Sequence, residues 1–217
     1  MNKRLPPLTF AMNKKTAEQL GEWAQKCSAD LCGNDIPADF TIEGAAWCNG
    51  ADIGGTNLET QEFNRKNFLF KEFKNFGRLD PVSRSISGAV AVLLHDAGLY
   101  PSEDKFDIPV LFSSDGGSIR SDGAYYRDFI KYNETAGRAN LFLYTLPTSP
   151  LGEVSVHFGL TGPLLFFTSA NKGEVLFEIA SMQMMTSRTG YLLMGVGEES
   201  AECAKSFFML LKSTVSN

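Results

Sequence analysis

The sequence predicts an α/β fold in which a mixed, mostly parallel sheet is flanked by helices. Apolar runs of strand length alternate with segments of helical periodicity, as expected when helices connect parallel strands. The last two strand candidates, residues 191–197 and 205–211, are separated by a short connection and are therefore predicted to be antiparallel. A helix remains the alternative for residues 205–211.

The composition is that of a soluble globular domain and argues against several classes of function. Hydrophobic residues make up 43% and charged residues 21% of the 217 positions, which suffices for a substantial core. A net charge of −5 argues against a nucleic-acid partner. The apolar runs fall short of the ~20 residues that span a membrane, and the first residues lack the apolar segment of a signal peptide. We therefore expect a cytoplasmic protein.

The cysteines do not form the pattern of a metal site. A five-residue step separates Cys27 from Cys32, and no second close pair follows, since the other two cysteines are Cys48 and Cys203. Only two histidines could add nitrogen ligands. We expect free, largely buried thiols, no metal and no cofactor.

Residues 1–39 are predicted to form an N-terminal extension that carries an amphipathic helix at 15–29. The main domain, residues 40–217, begins with a strand at 40–48 and a Gly- and Asn-rich loop at 49–57. Residues 63–76 are rich in Phe and basic side chains. They form either a lid over an acyl or aromatic ligand or, as we favour, a segment whose rings pack on the core.

The clearest helix is predicted at residues 80–99. Asp80 is a good N-cap, Pro81 suits the first helical position, and Gly98 ends the segment. The remaining elements are a strand at 108–114, a helix at 118–132 with Tyr125, Phe129 and Ile130 facing inward, a short helix at 151–158, a strand at 164–168 and a helix at 173–189.

A sharp strand-to-helix elbow is predicted around residue 171. Gly162 and Pro163 interrupt the preceding element, and Leu164 to Thr168 form an apolar, β-prone run expected of a strand covered on both faces. A short polar turn follows, and Glu174 opens a helix with its acid near the positive end. The predicted elbow site comprises Phe167, Ser169, Ala170, Asn171 and Gly173.

This region resembles the nucleophile region of the β-ketoacyl synthases of the thiolase superfamily. Their pattern is roughly FGLxGP, a hydrophobic strand and then TACASG, and residues 158–163 here read FGLTGP. Weaker similarities occur at DAGL (96–99), LPTSP (146–150) and GVGE (195–198), so the resemblance extends from about residue 40 to residue 214. It implies a thiolase-like half-fold. The second half of the family's fold is expected to be absent.

The family's catalytic cysteine corresponds to Asn171 in this sequence. An amide cannot accept an acyl group, so the resemblance implies a protein that does not condense acyl chains alone. Chain-length factors, which pair with active ketosynthases, carry a glutamine at this place. Asn171 therefore either donates a hydrogen bond to a bound thioester or, as we favour, simply tolerates the strained backbone of an elbow.

The resemblance also implies partners in fatty-acid or polyketide-type biosynthesis. In the family the strand before the elbow pairs across a dimer two-fold axis. We therefore expect Leu164, Leu165, Phe166 and Phe167 to bind a ketosynthase subunit or a second copy of the chain. An acidic acyl carrier protein would contact the basic residues Arg65, Lys66, Lys71, Lys74 and Arg78. The alternative is a small stand-alone protein that binds or hydrolyses acyl thioesters.

No other residue replaces the missing nucleophile convincingly. Ser169 and Thr168 lie close to the elbow, but no signal pairs either with a base. We interpret His157 as a structural residue near a helix end and His95 as a surface residue at the end of its helix. Residues 113–117, SSDGG, lack the lysine and spacing of a P-loop and are predicted to be a structural turn.

Overall fold

The computed structural model describes residues 39–69, 71–132, 137–168, 172–185, 190–199 and 203–214. These residues form a seven-stranded mixed sheet with helices on both faces, which confirms the predicted α/β class. The strands are β1 Phe40–Cys48, β2 Asp52–Gly55, β3 Gln61–Glu62, β4 Val110–Ser114, β5 Leu164–Phe167, β6 Tyr191–Glu199 and β7 Ala204–Ser213. The helices are α1 Arg65–Phe68, α2 Pro81–Asp96, α3 Ile119–Lys131, α4 Ala139–Leu143, α5 Ser149–Phe158 and α6 Lys172–Met184.

The strand order is β3-β2-β1-β7-β6-β4-β5, and the sheet is more antiparallel than predicted. Only the β4–β5 and β4–β6 pairs are parallel, whereas the other four pairs are antiparallel. The antiparallel part begins with a hairpin inside the expected 49–57 loop, where the Asn49 side chain accepts hydrogen bonds from the backbone of Ala51 and Asp52. The predicted antiparallel pairing of the last two strands is confirmed.

Helix α2 forms as the sequence predicts, with local signals at both ends. The Asp80 carboxylate accepts the Ser83 N–H at 2.8 Å, and Pro81 occupies the first turn. Gly98 follows the helix with a φ of 69°, a conformation in which other residues would be strained. The buried side of the helix faces β1 and β7 and includes Ile86 and Val90.

The sheet separates two apolar cores. Helices α2 and α5 cover one face, where Leu94, Leu151 and Phe208 belong to the same buried cluster. Helix α6 covers the opposite face and buries Leu176 against side chains that include Met194. Helices on both faces thus cover β4, β5 and β6. These three strands lead to the candidate site.

Helix α3 differs from its prediction in orientation and packing. Ile130 of α3 was expected to face inward, but its side chain is 44% exposed, and the only buried residue of that helix is Asp128. Helix α3 packs mainly on the short helix α4, which the sequence did not predict, instead of lying on the sheet. The predicted helix at residues 15–29 lies outside the described residues.

Candidate functional site

The FGLTGP segment is a tight connection between α5 and β5. Helix α5 ends at Phe158, and Gly159 adopts a φ of 69° directly after it. A Cβ at Gly159 would lie 2.8 Å from the Asp104 carbonyl oxygen, so the position combines a left-handed backbone with close packing. The Phe106 N–H donates to the Gly159 carbonyl at 2.9 Å and fastens the connection to the preceding loop.

Gly162 lets the chain pass against the residues that enter β4. A Cβ at this position would lie 2.4 Å from the carbonyl carbon of Ile108 and 2.5 Å from the nitrogen of Pro109. Both atoms belong to the backbone and cannot rotate away. The Val110 N–H then donates to the Pro163 carbonyl at 2.9 Å, which begins the parallel register in which Val110 faces Leu164. The motif therefore sets the alignment of β5 on β4.

Strand β5 lies at the edge of the sheet, and its four side chains are half-buried although both faces of the strand contact a core. Its side chains alternate between the two cores. Leu164 and Phe166 contact the α2–α5 core, whereas Leu165 and Phe167 contact the α6 core. The other edge of β5 pairs with no strand within the described residues. An apolar strand with an open edge is a surface that proteins normally cover.

The elements on both sides of the elbow are those predicted. Strand β5 ends at Phe167, Thr168 is exposed, and α6 begins at Lys172, so Gly173 lies in its first turn. Residues 169–171, and with them Ser169, Ala170 and Asn171, lie outside the described residues.

A small, open cleft lies beside the end of β5. The sequence analysis did not predict this cleft, because its walls come from distant parts of the chain. β4 and β6 are neighbouring parallel strands, and Ser114 and Glu199 at their carboxyl ends both line it. That shared edge is the usual place for a ligand in such sheets and is the signal that could have found it. The lining also includes Asp80, Phe112, Gly117, Ser118, Ser121, Tyr144, Leu146, Pro147, Pro150 and Phe166.

The ionisable groups of the cleft are held toward their neutral forms. Burial raises the pKa of Glu199, and the Arg120 guanidinium at 3.6 Å partly opposes that effect. Burial likewise raises the pKa of Asp80, against the opposing effect of the hydrogen bonds from Ser83. The pKa of Tyr144 is raised by burial and by the nearby Glu153 carboxylate. The lining residues include neither cysteine nor histidine. The cleft can thus accept a polar ligand, but its described walls offer no thiolate.

His157 is a structural residue of the α5 end, as predicted. Its ring stacks on Phe73 with centroids 3.9 Å apart, and its Nε2 lies 3.1 Å from the Tyr100 hydroxyl. That hydroxyl accepts the Lys71 N–H at 3.0 Å, so its own proton is available to Nε2. Burial, aided by the Lys71 charge, lowers the pKa of His157 from 6.5 to about 4. His95 lies at the end of α2 with its side chain 49% exposed.

No protein-family model matches the chain, and no curated protein matches it by sequence. The fold, however, is similar to solved ketosynthase structures. One is a type II polyketide acyl carrier protein in complex with its ketosynthase bound to the hexaketide, with a TM-score of 0.57 and 12% identity. A β-ketoacyl synthase from Burkholderia phymatum gives a TM-score of 0.54 at 12% identity. The chain has the thiolase-like fold of the ketosynthases.

The extent of the match differs between these ketosynthase-type structures. The chain is covered to 82% and 81%, but only 59% of each of the two matched chains is included. A ketosynthase in complex with its chain length factor, from Xenorhabdus doucetiae, gives a TM-score of 0.55 at 8% identity. There the match covers 82% of this chain and 80% of that one. The chain therefore spans about three fifths of the larger ketosynthase chains and most of the last one.

The basic residues predicted to contact a partner border a cluster of Phe rings. Phe63 lies 6.0 Å from Phe68 and 6.2 Å from Phe76, and Phe73 lies 5.5 Å from Phe76. Phe68 and Phe76 are buried, so the rings pack on the core as we favoured. Lys71 is half-buried and forms an ion pair with Glu103 at 2.7 Å. The other four side chains are exposed: Arg65, Lys66, Lys74 and Arg78.

The described part of this ketosynthase-type fold contains neither a metal-binding cluster nor a helix suited to a membrane. No group of three or more His, Cys, Asp or Glu side chains is placed to hold a metal ion there. The described helices include none that is long and apolar enough to cross a bilayer. Cys48 is fully buried, and burial raises the pKa of its thiol to about 12, which makes it unreactive.

Proposed function

We propose that this chain is a non-condensing, ketosynthase-like subunit that pairs with a ketosynthase in fatty-acid or polyketide-type biosynthesis. The observation that carries the proposal is the position of β5: an apolar, half-buried strand at the edge of a thiolase-like sheet. A second strand beside β5 would continue the sheet and bury the exposed parts of four large side chains.

The backbone of β5 is arranged for such pairing. The Pro163 carbonyl accepts the Val110 N–H and so points toward β4. In a parallel pair every second residue directs its backbone groups to the same neighbour, so the N–H and C=O groups of Leu165 also point toward β4. The N–H and C=O groups of Leu164 and Phe166 then point away from β4, toward the open edge. A partner strand would satisfy these groups with hydrogen bonds and contribute its own apolar side chains. The similar folds support a protein partner as well, since one of the similar structures is a ketosynthase in complex with its chain length factor.

The absence of condensation is inferred from Asn171 and from the cleft. Condensation requires a thiolate that accepts the acyl group, and the sequence places an amide at the corresponding position. The described walls of the cleft supply carboxyl and hydroxyl groups instead.

The test is to express the tagged full chain in its native host and to identify its stoichiometric partner by native mass spectrometry. We expect a ketosynthase in a 1:1 ratio. Leu165→Lys places a charge in the middle of β5 and should abolish the complex. Because Leu165 also contacts the α6 core, circular dichroism must show that the variant is folded. Val156→Lys is the matched control, because Val156 is 85% exposed on α5, away from β5. Recovery of the chain without a ketosynthase, or equal binding by Leu165→Lys, would contradict the proposal.

An acyl carrier protein is the second partner that we propose, at the basic residues Arg65, Lys66, Lys74 and Arg78. Their exposure lets them meet an acidic partner, whereas Lys71 is engaged by Glu103. Reversing Arg65 and Lys74 to Glu should weaken carrier-protein binding and reduce its dependence on salt. Binding that is unchanged in affinity and salt dependence would exclude this surface.

The cleft favours one alternative function, a stand-alone protein that binds or hydrolyses acyl thioesters. The serine hydroxyls of its lining could donate to a thioester carbonyl, and the half-buried Glu199 carboxylate could hold a water. The lone purified chain would then hydrolyse acyl-coenzyme A, and Glu199→Gln would lower the rate. We favour the subunit, because the open β5 edge has no role in the alternative.

A further inference from the structure

The helices α3 and α4 and the turn after α4 form an arm that exposes large apolar side chains. Ten such side chains are exposed in the described part of the chain, and six of them define what we call the arm surface. These six are Ile119, Tyr126, Ile130, Phe142, Leu143 and Leu146. Their exposure ranges from 43% to 71%. Several large apolar side chains exposed on two helices that pack on each other are unusual for a monomer and indicate a binding site.

A stripe of apolar residues and one glycine runs along α3. Ile119, Gly123, Tyr126 and Ile130 recur at steps of four, three and four residues, which places them on one stripe. Tyr125 is not part of this stripe and holds α3 on α4, because its ring lies 5.5 Å from that of the partly exposed Phe142, centroid to centroid. The outer stripe is thus additional to the packing that holds the arm together.

The arm is held in one shape by polar contacts and close packing. Arg138 donates to the nearly buried Asp128 from its guanidinium at 2.9 Å and from its backbone N–H at 3.3 Å. Gly137 lies so close to Tyr125 that a Cβ would be 2.5 Å from the ring. The arm surface is therefore preorganised, and this reduces the conformational entropy that is lost on association.

Two guanidinium groups of the arm are paired within the chain, and the other charged residues of α3 carry both signs. Arg120 pairs with Glu199 at 3.6 Å, and Arg138 pairs with Asp128. Two identical copies would therefore meet without strong repulsion between like charges. An acidic carrier protein would find these two guanidinium groups already engaged.

The area suffices for a symmetric dimer. The exposed parts of the six side chains amount to roughly 600 Å², and two copies would remove about 1,200 Å² in total, which reaches the range of specific interfaces. Closed two-fold dimers are the commonest assemblies of soluble proteins, and they use the same surface on both subunits.

We propose that the arm surface binds a second copy of this chain, so that two copies join through α3 and α4 and leave both β5 edges free. This inference goes beyond the proposed function, which places a ketosynthase at β5. It predicts an assembly with a central pair of these chains and one β5 partner on each side.

Sedimentation velocity of the full chain from 1 to 100 µM tests the proposal. We expect a species with twice the 23.8 kDa mass of one chain. The double variant Tyr126→Glu/Ile130→Glu should weaken dimerisation at least ~100-fold, because charges would replace the centre of the interface. Both side chains are 44% or more exposed, so the fold should remain intact, which circular dichroism would verify.

Three further variants distinguish a second copy of the chain from other occupants of the arm surface. The matched control Met182→Glu/Met185→Glu alters exposed side chains on and just after α6 and should remain dimeric. Leu165→Lys should also remain dimeric, so a failure of the β5 proposal would not affect this result. The proposal would be overturned by a monomer throughout the range or by a dimer that the Tyr126/Ile130 variant leaves intact. Dimerisation only after deletion of residues 1–38 would also overturn it, since that segment would then cover the arm surface.

Discussion

Lowering the pH should destabilise the fold through His157, which holds the residues around Lys71 and Phe73 on the end of α5. The neutral ring accepts the Tyr100 hydroxyl proton and stacks on Phe73. Protonation removes the acceptor and places a charge next to the Lys71 ammonium in a half-buried site. The folded state therefore binds the proton less tightly than the unfolded chain does.

The pKa values give both the sign and the size of the effect. The pKa of His157 is about 4 in the folded state and 6.5 when the ring is free. Stability is thus complete above pH 6.5, falls as the unfolded chain takes up its proton between pH 6.5 and 4, and changes no further below that range from this group. Between pH 7.5 and 5.0 the linkage amounts to about 2 kcal/mol, and solvent screening at the half-buried ring brings the expected loss to about 1–2 kcal/mol.

Urea unfolding at pH 7.5 and pH 5.0 measures this loss. His157→Phe keeps a flat ring against Phe73 but does not titrate, so the loss between the two pH values should shrink by about 1–2 kcal/mol. His95→Gln is the matched control, because it removes the other histidine, whose side chain is 49% exposed. An identical pH dependence for the wild type and His157→Phe would refute the reasoning.

Two sets of substitutions test the local packing. Gly162→Ala forces a Cβ against backbone atoms at 2.4 Å and should lower the free energy of unfolding by about 3 kcal/mol or prevent folding, whereas Gly152→Ala meets no atom within 4 Å and should be neutral or stabilise α5 by up to ~1 kcal/mol. Equal thermal melting of the two variants would contradict the packing argument. Asp80→Ala should reduce stability by about 1 kcal/mol through the loss of the α2 cap, and Asp80→Asn should retain most of it. Denaturant titration compares them, and an unaltered Asp80→Ala would show that the cap is unimportant.

The predictable parts of the structure are those set by neighbouring residues. Asp80, Pro81 and Gly98 mark both ends of α2 because caps and left-handed turns act over a few residues. The bounds of β1 match the prediction, and the β-prone run after Gly162 forms β5. The family resemblance supplied the fold itself, and the ketosynthase-type structures agree with it.

The remaining parts depend on contacts between distant residues. The pairing of β1 with β7 joins positions such as Phe40 and Ser213, which no local pattern reveals. The edge position of β5 likewise follows from the strand order and not from its composition. The apolar stripe of α3 predicted a buried face, but periodicity alone does not tell whether the same chain or another one covers it. The cleft escaped prediction because Asp80, Ser114 and Glu199 meet only in the folded sheet.

The intact mass of the purified protein after exposure to an acyl thioester examines the missing nucleophile. We expect the wild type to gain no acyl group at the elbow, because an amide occupies position 171. Asn171→Cys should gain one acyl group there, located by peptide mapping, yet form no ketoacyl product when a malonyl thioester is added. An acyl group at the elbow of the wild type, or a ketoacyl product from either protein alone, would contradict the assignment of a non-condensing subunit.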